Sequence, residues 1–422
     1  MEYGNTRPSV GVIGLGYVGL PLAVAFAEAG HAVIGLDLDD RKIRAIAESR
    51  SYIEDITSER LAAVSDRLHA TTRYADLAQV DAVIIAVPTP LTPNREPDLQ
   101  PLMSAGSALA QILQEGQLVI LESTTYPGTT RDQLAPLLEE SGLQAGTGFN
   151  LAFSPERIDP GRTDYTIRTT PKVVGGLTPR CLERASELYS SVCDEVVQVS
   201  TPEVAELTKL LENIFRAVNI ALVNELAMAC DRMGIDVWEV VQAAATKPYG
   251  FMPFQPGPGL GGHCLPVDPF YLAWKAREYD AQTGFIELAG EVNARMPHFC
   301  AEKVAGALND RGRSVSGARI AILGVSYKAG VGDVRESPAI KIMRLLADRG
   351  AELVYHDDYV PELAAFGLAS EPLDEALKDA DVVAIVTVHP DLDMELVLRE
   401  APVVVDFRGV TSGRSADHVV RL

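Results

Sequence analysis

The chain has 422 residues, of which 47% are hydrophobic and 23% charged, and its formal net charge is −21. That length exceeds one ordinary core, and the composition is that of a folded globular protein, not a disordered or fibrous one. The acidic balance excludes a nucleic-acid partner, which needs a broad basic face, and five singly scattered cysteines form no disulfide framework, as suits a reducing cytoplasm.

The first nine residues are polar and run straight into a strand, so no signal peptide is expected. The apolar runs 81–88 and 381–388 are too short to cross a bilayer, and the reading is cytoplasmic with no membrane anchor. Residues 9–13 read as a buried strand that feeds Gly14-Leu15-Gly16-Tyr17-Val18-Gly19, then a helix over 22–29 and a second strand over 31–37 closing on Asp37. Glycines alone are a weak signal. Strand, glycines, helix, strand and terminal acid in that order form the dinucleotide fingerprint, in which the pyrophosphate rests on the helix N-terminus. Asp37 would accept from ribose hydroxyls, which favours NAD over NADP, with Arg41 and Lys42 just beyond as counterweights.

Further strands are predicted over 82–87, ending in Pro88-Thr89-Pro90, and over 118–121, ending in Glu122-Ser123-Thr124-Thr125. In a parallel doubly wound sheet the C-terminal strand ends line the ligand crevice, so Thr89, Ser123 and Thr124 should face the cofactor. A strand over 149–153 delivers Ser154-Pro155-Glu156-Arg157, where Glu156 is either an acid/base group or a surface charge.

The centre is helical. Capping residues at 200–203 precede apolar residues at helical spacing over 205–233, and Lys209, Asn213 and Arg216 follow one another on this helix at one-turn intervals. They form either a polar patch aimed at a ligand or a solvated stripe with Glu206 and Glu212. A second helix, 237–245, leads to a glycine- and proline-rich run from Pro256 to Phe270, read as an ordered loop. It sets a lone thiol, Cys264, four residues before the carboxylate of Asp268, a pattern that favours a nucleophile over a buried space-filler. No second Cys or His lies at ligand spacing, so no metal is expected. Helical character resumes at Trp274 and continues to about Asn309.

The last third repeats the first, with strands over 319–324, 351–357, 380–386 and 401–406. Its first turn lacks GxGxxG and carries Lys328, so this half should hold an anion through Lys328, Arg335 and Arg408. The predicted fold class is α/β: two doubly wound Rossmann-like parallel-sheet domains, 1–200 and 313–422, joined by a long central helix and a helical middle domain, 201–312.

Taken together these segments resemble the nucleotide-sugar 6-dehydrogenases of the UDP-glucose/GDP-mannose dehydrogenase family. The resemblance spans nearly the whole chain. It rests on Gly14 to Gly19 with Asp37, Glu122 to Thr130, Ser154-Pro155-Glu156-Arg157, Lys209 with Asn213, Gly259 to Asp268, and Tyr327-Lys328 with Asp333 to Arg335. Within that group the wording is similar to bacterial UDP-N-acetylglucosamine 6-dehydrogenases. UDP-glucose enzymes usually carry a second acid four residues after the Glu of the Pro-Glu motif; here that place is Pro160.

The resemblance implies NAD-dependent four-electron oxidation of a sugar C6 alcohol to the acid. Cys264 would hold the aldehyde as a thiohemiacetal and then a thioester. Lys209 would stabilise the oxyanion, Asn213 would work with a water held by Asp268 and Thr124, and Glu156 would be the base for hydrolysis. NAD would meet Gly14, Gly16, Tyr17, Val18, Gly19, Asp37, Lys42, Thr89 and Thr124, with Arg335 reaching cofactor or substrate. The UDP-sugar would meet Glu156, Arg157, Ile158, Lys209, Asn213, Arg216, Gly261, Lys328 and Arg408. The family also implies at least a homodimer, seamed along the long helix. The rivals are a UDP-glucose or UDP-N-acetylmannosamine enzyme, a single-step hydroxyacid dehydrogenase of the phosphogluconate kind, and a nucleotide-sugar sensor without catalysis.

Overall fold

The computed structural model describes residues 7–53, 55–92, 96–157, 164–262, 265–414 and 417–422. Compactness divides the chain into two units: 1–212 with 270–281, and 213–269 with 282–422. The helix Pro202–Met233 has residues in both.

The first unit is built on an eight-stranded sheet. Its strands are β1 (Val10–Ile13), β2 (Val33–Leu36), β3 (Leu68–Thr71), β4 (Ala82–Ile85), β5 (Leu118–Leu121), β6 (Asn150–Phe153), β7 (Lys172–Gly176) and β8 (Val196–Val199). The spatial order is β3-β2-β1-β4-β5-β6-β7-β8. The first six run parallel, in the arrangement of a dinucleotide-binding sheet. β7 pairs antiparallel with β6, so the sheet is mixed where sequence reading expects a purely parallel one. β1, β4, β5 and β6 are buried along their whole length, as strands covered on both faces must be. β3, β7 and β8 escape sequence reading because a half-buried edge strand such as β8, or Lys172 at the head of β7, breaks the apolar run.

In the second unit β9 (Arg319–Leu323) and β10 (Glu352–His356) are followed by a short ribbon, β11 (Glu362–Leu363) with β12 (Leu368–Ala369). Then come β13 (Val382–Ile385), β14 (Val404–Asp406) and β15 (Val419–Arg421). The five-stranded sheet has the order β10-β9-β13-β14-β15 and is parallel throughout. The fold class is therefore α/β with two Rossmann-like sheets and a helical middle, as expected. The predicted strands over 118–121 and the helix Val237–Ala245 are met to the residue.

One expectation is corrected. The glycine-rich loop ends before Phe270, because Asp268 opens the helix Asp268–Arg277. An acid followed by proline is a favourable helix start, the carboxylate meeting the positive end of the dipole and Pro269 giving up an N–H that has no helical partner anyway. The helical stretch expected from Trp274 onward is likewise two helices, Asp268–Arg277 and Gly284–Asn309.

Among its described residues the loop has no ladder of its own, and these are pinned from outside. Gly257 N donates to Asn224 Oδ1 at 2.9 Å on the long helix, Asn224 Nδ2 donates to Asn293 Oδ1 at 2.9 Å, and Asn293 Nδ2 donates to Ala217 O at 3.1 Å. Both asparagines are buried, so each lost bond leaves a dry polar group. Asn224→Leu should lower unfolding stability by about 1–3 kcal/mol in chemical denaturation, because it strands the Gly257 N–H and the Asn293 amide.

Candidate active site

In the first unit β1 turns through Gly14 (φ +93°) into the helix Gly19–Glu28. A Cβ on Gly14 would lie 2.6 Å from Ala86 O, and one on Gly19 would lie 1.8 Å from Gly14 O, so packing alone demands these two glycines. Gly16 is different. A Cβ there would meet nothing within 4 Å. The helix begins with no side-chain cap and no acid in its first turn, leaving its N-terminal field for an anion. Bare backbone at residue 16 beside such a terminus fits a pyrophosphate that must come close.

Asp37, just beyond β2, is held by three hydrogen bonds. Its Oδ2 accepts from Leu15 N at 2.9 Å and from Lys42 Nζ at 2.7 Å, and its Oδ1 accepts from Asp39 N at 3.0 Å. Lys42 is thus paired with Asp37. Tyr17 is exposed, and Val18 is the helix N-cap. At the C-terminal ends of β4 and β5, Thr89 Oγ1 donates to Thr124 O at 2.6 Å, Ser123 Oγ donates to Val87 O at 2.6 Å, and Tyr271 Oη donates to Thr89 O at 2.7 Å. These bonds brace the crevice edge.

After β6, Glu156 Oε1 accepts from Arg157 N at 2.6 Å. The Arg157 guanidinium turns to Pro171 O at 2.6 Å and to Glu212 at 2.8 Å. Glu156, Arg157, Ile167, Thr170, Pro171 and Lys172 line a small pocket. The alternative reading of the long helix as a solvated stripe fails for Glu206, which is fully buried and accepts from Gly128 N, Thr130 N and Thr130 Oγ1 at 2.7–2.9 Å.

In the second unit Asn213 Nδ2 donates to Asp268 Oδ2 at 2.5 Å, with the two residues 5% and 2% exposed. Two residues singled out 55 positions apart are therefore hydrogen-bonded in a dry setting. Gly262 N donates to Arg335 O at 3.1 Å. A Cβ on Gly261 would lie 2.7 Å from Tyr327 Cβ, and one on Gly262 (φ +79°) would lie 2.8 Å from the Tyr327 ring, so both glycines let the loop lie against that tyrosine. Arg408 Nε donates to Val386 O at 2.6 Å, and its guanidinium lies beside Gly257, where an added Cβ would come within 3.1 Å of Nη1. Arg335 forms a forked pair with Asp333, Lys328 is partly buried, and Arg216 is exposed on the long helix. Lys209 is partly buried on the same helix. His263, Cys264 and Ile158 lie outside the described residues.

Three family models match in sequence order. They are the NAD binding domain (residues 8–193), the central domain (203–295) and the UDP binding domain (321–413) of the UDP-glucose/GDP-mannose dehydrogenase family. The chain belongs to that family. It is 36% identical over 426 residues to the UDP-N-acetyl-D-mannosamine dehydrogenase of Pyrococcus horikoshii, covering 96% of this chain and 99% of that one. It is 37% identical over 353 residues to the UDP-N-acetyl-D-glucosamine 6-dehydrogenase of Pseudomonas aeruginosa, covering 83% of each. The solved UDP-D-ManNAc dehydrogenase from Pyrococcus horikoshii superposes with a TM-score of 0.91 at 34% identity over 98% of both chains.

The protein is accordingly an NAD-dependent UDP-sugar dehydrogenase, an oxidoreductase with NAD as cofactor and a UDP-sugar as substrate partner. Among the described residues no helix is long and apolar enough to cross a membrane, and no three His, Cys, Asp or Glu side chains gather as a metal site.

Family membership gives the glycine geometry a sharp consequence. If Gly16 faces the pyrophosphate as the fingerprint implies, Gly16→Ala should fold with a melting temperature close to the parent, since its methyl meets no protein atom within 4 Å, but bind NAD at least about tenfold more weakly by titration calorimetry. Gly19→Ala should fail at the level of folding, since nothing flexible stands between its Cβ and the Gly14 carbonyl.

Proposed function

We propose that the enzyme oxidises the C6 hydroxyl of a UDP-N-acetylhexosamine, with UDP-N-acetylglucosamine as the preferred substrate, to the corresponding uronic acid. The observation that carries this reading is the buried Asn213–Asp268 hydrogen bond, since the two residues that the family resemblance assigns to proton handling meet at the end of the loop that carries Cys264. Relatives named for N-acetylmannosamine and N-acetylglucosamine nucleotides support the N-acetylhexosamine class. Pro160, standing where UDP-glucose enzymes usually carry a second acid, argues against glucose. UDP-N-acetylmannosamine is the second reading, supported by the relatives of that name.

Bound NAD supplies the hydride acceptor for both two-electron oxidations, so one sugar and one water consume two NAD. The chain's own residues do the rest. Lys209 carries the positive charge toward the developing C6 oxyanion, and a water held by Asp268, whose carboxylate is positioned by Asn213, takes up the hydroxyl proton and passes it to that carboxylate. The Cys264 sulfur adds to the C6 aldehyde and keeps it as a thiohemiacetal, whose oxidised form is the thioester. Water then attacks the thioester carbonyl while Glu156 accepts the water's proton. The carbon–sulfur bond breaks, and Cys264 leaves as thiolate. Lys328 and Arg408 hold the phosphates in the UDP binding domain, with Arg157, Ile158, Arg216 and Gly261 completing the substrate set and Arg335 reaching either ligand.

We also propose a homodimer, working in the cytoplasm. Leu207, Leu211, Phe215, Leu222, Leu226 and Met233 form an exposed apolar series along the long helix at spacings of four or seven residues, and Phe285 is 82% exposed at the start of the helix Gly284–Asn309. A series of this kind is commonly covered by a partner. The pair Leu222→Glu with Phe285→Glu should sediment as a monomer where the parent sediments as a dimer or larger.

Counting products tests the chemistry. The parent should form two NADH per UDP-sugar consumed, and a ratio of one would contradict the thioester route. Cys264→Ser should keep UDP-sugar binding and lose acid formation; unchanged acid output would remove the thiol from the reaction. A panel of UDP-N-acetylglucosamine, -galactosamine and -mannosamine with UDP-glucose, read by NADH formation, should rank the N-acetylhexosamines above glucose.

A further inference from the structure

Below Glu156 the first unit buries an uncommon group of charges. Lys172, at the head of β7, is 5% exposed, and its ammonium pairs directly with Glu122 at the end of β5. Glu122 is 1% exposed and also accepts from Tyr189 Oη at 2.5 Å. The same Lys172 Nζ lies 3.7 Å from Glu156 Oε2. Two carboxylates therefore share one buried ammonium, and the Arg157 guanidinium, the neighbouring cation, is committed to Pro171 O and Glu212.

A buried charge group of this kind is seldom kept for stability, since apolar side chains of equal volume generally do as well. Its outer end, moreover, is not sealed. Glu156 and Lys172 both line the small pocket described above, and Thr170 Oγ1, on the same lining, is buried without a hydrogen-bond partner among the described residues.

We propose that Lys172 is a positioning residue for hydrolysis of the acyl-enzyme, holding Glu156 ionised and oriented as the base, and that Glu122 sets how much of the ammonium's charge Glu156 receives. This rests on the reading of Glu156 as that base. The electrostatics agree in direction. Burial pushes the Glu122 carboxyl up to about 7 against the pull of Lys172, while the two carboxylates outweigh burial and raise the pKa of Lys172, so the ammonium stays charged. Among the described residues, the other titratable groups facing the buried end of the cluster are Tyr189, raised well above its ordinary value by burial, and Cys193, whose thiol burial pushes up to about 11; both are neutral at working pH.

The sign of each variant follows. An adjacent cation lowers a carboxylate's pKa, so the rate of acyl-enzyme hydrolysis falls on the acid side as Glu156 takes up its proton. Lys172→Met combined with Glu122→Gln removes the cation without stranding a buried anion, and should move that acid limb upward by about one pH unit or more. Glu122→Gln alone releases the ammonium wholly to Glu156 and should move the limb downward. Lys172→Arg should return it to the parent position.

The experiment is a pH series of thioester hydrolysis in the full-length enzyme with UDP-N-acetylhexosamine and NAD, followed by quenched-flow mass spectrometry, with Glu156→Gln as reference. Opposite displacements in the double and single variants support the assignment. A slower rate with an unmoved limb makes Lys172 merely structural and overturns it. Glu156→Gln hydrolysing at the parent rate would instead overturn the reading of Glu156 on which it rests.

Discussion

A loop made largely of glycine and proline cannot fix its own shape, and the proposed chemistry depends on this loop being fixed. The second unit does so from three sides. Asn224 holds the backbone at Gly257, the Arg335 carbonyl and the Tyr327 ring hold Gly261 and Gly262, and Asn213 holds Asp268 where the helix resumes. None of these anchors lies within the loop. Each is a buried or close-packed group whose loss leaves an unsatisfied polar atom or a gap, so Gly257, Gly261, Gly262 and Asp268 are constrained by the interior around them.

The same logic separates the glycines of the first unit by purpose. Gly14 and Gly19 are demanded by neighbouring carbonyls, whereas Gly16 is bare toward open space, so packing does not account for it. Asp37 is likewise held three times, by Leu15 N, Asp39 N and Lys42, so the orientation of its carboxylate is set by the protein itself. Pre-set donors and acceptors of this kind reduce what binding must spend on ordering.

Local patterns carried much of this into the sequence. The strand–glycine–helix–strand–Asp run, the strand at 118–121 and the helix Val237–Ala245 were legible because each is set by neighbours within a few residues. The mixed sense of the first sheet was not, since β7 turns against β6 through pairing that no local period records. Nor were Lys172 and Glu122, which meet across 50 residues. Their signal was faint: a lysine heading a valine–glycine strand and a glutamate ending a leucine–isoleucine one, each in a place where a charge needs a partner. The start of the helix at Asp268 was hidden for another reason, as glycine and proline counts dominate the window and obscure an acid–proline helix start.

The central claim is that a sugar acid is carried on one sulfur between its second oxidation and release. The most direct measurement is peptide mapping of Glu156→Gln enzyme quenched in acid during turnover with UDP-N-acetylglucosamine and NAD. The account predicts a hydroxylamine-labile uronyl adduct on the peptide containing Cys264. A peptide that stays unmodified while acid accumulates in solution would contradict it.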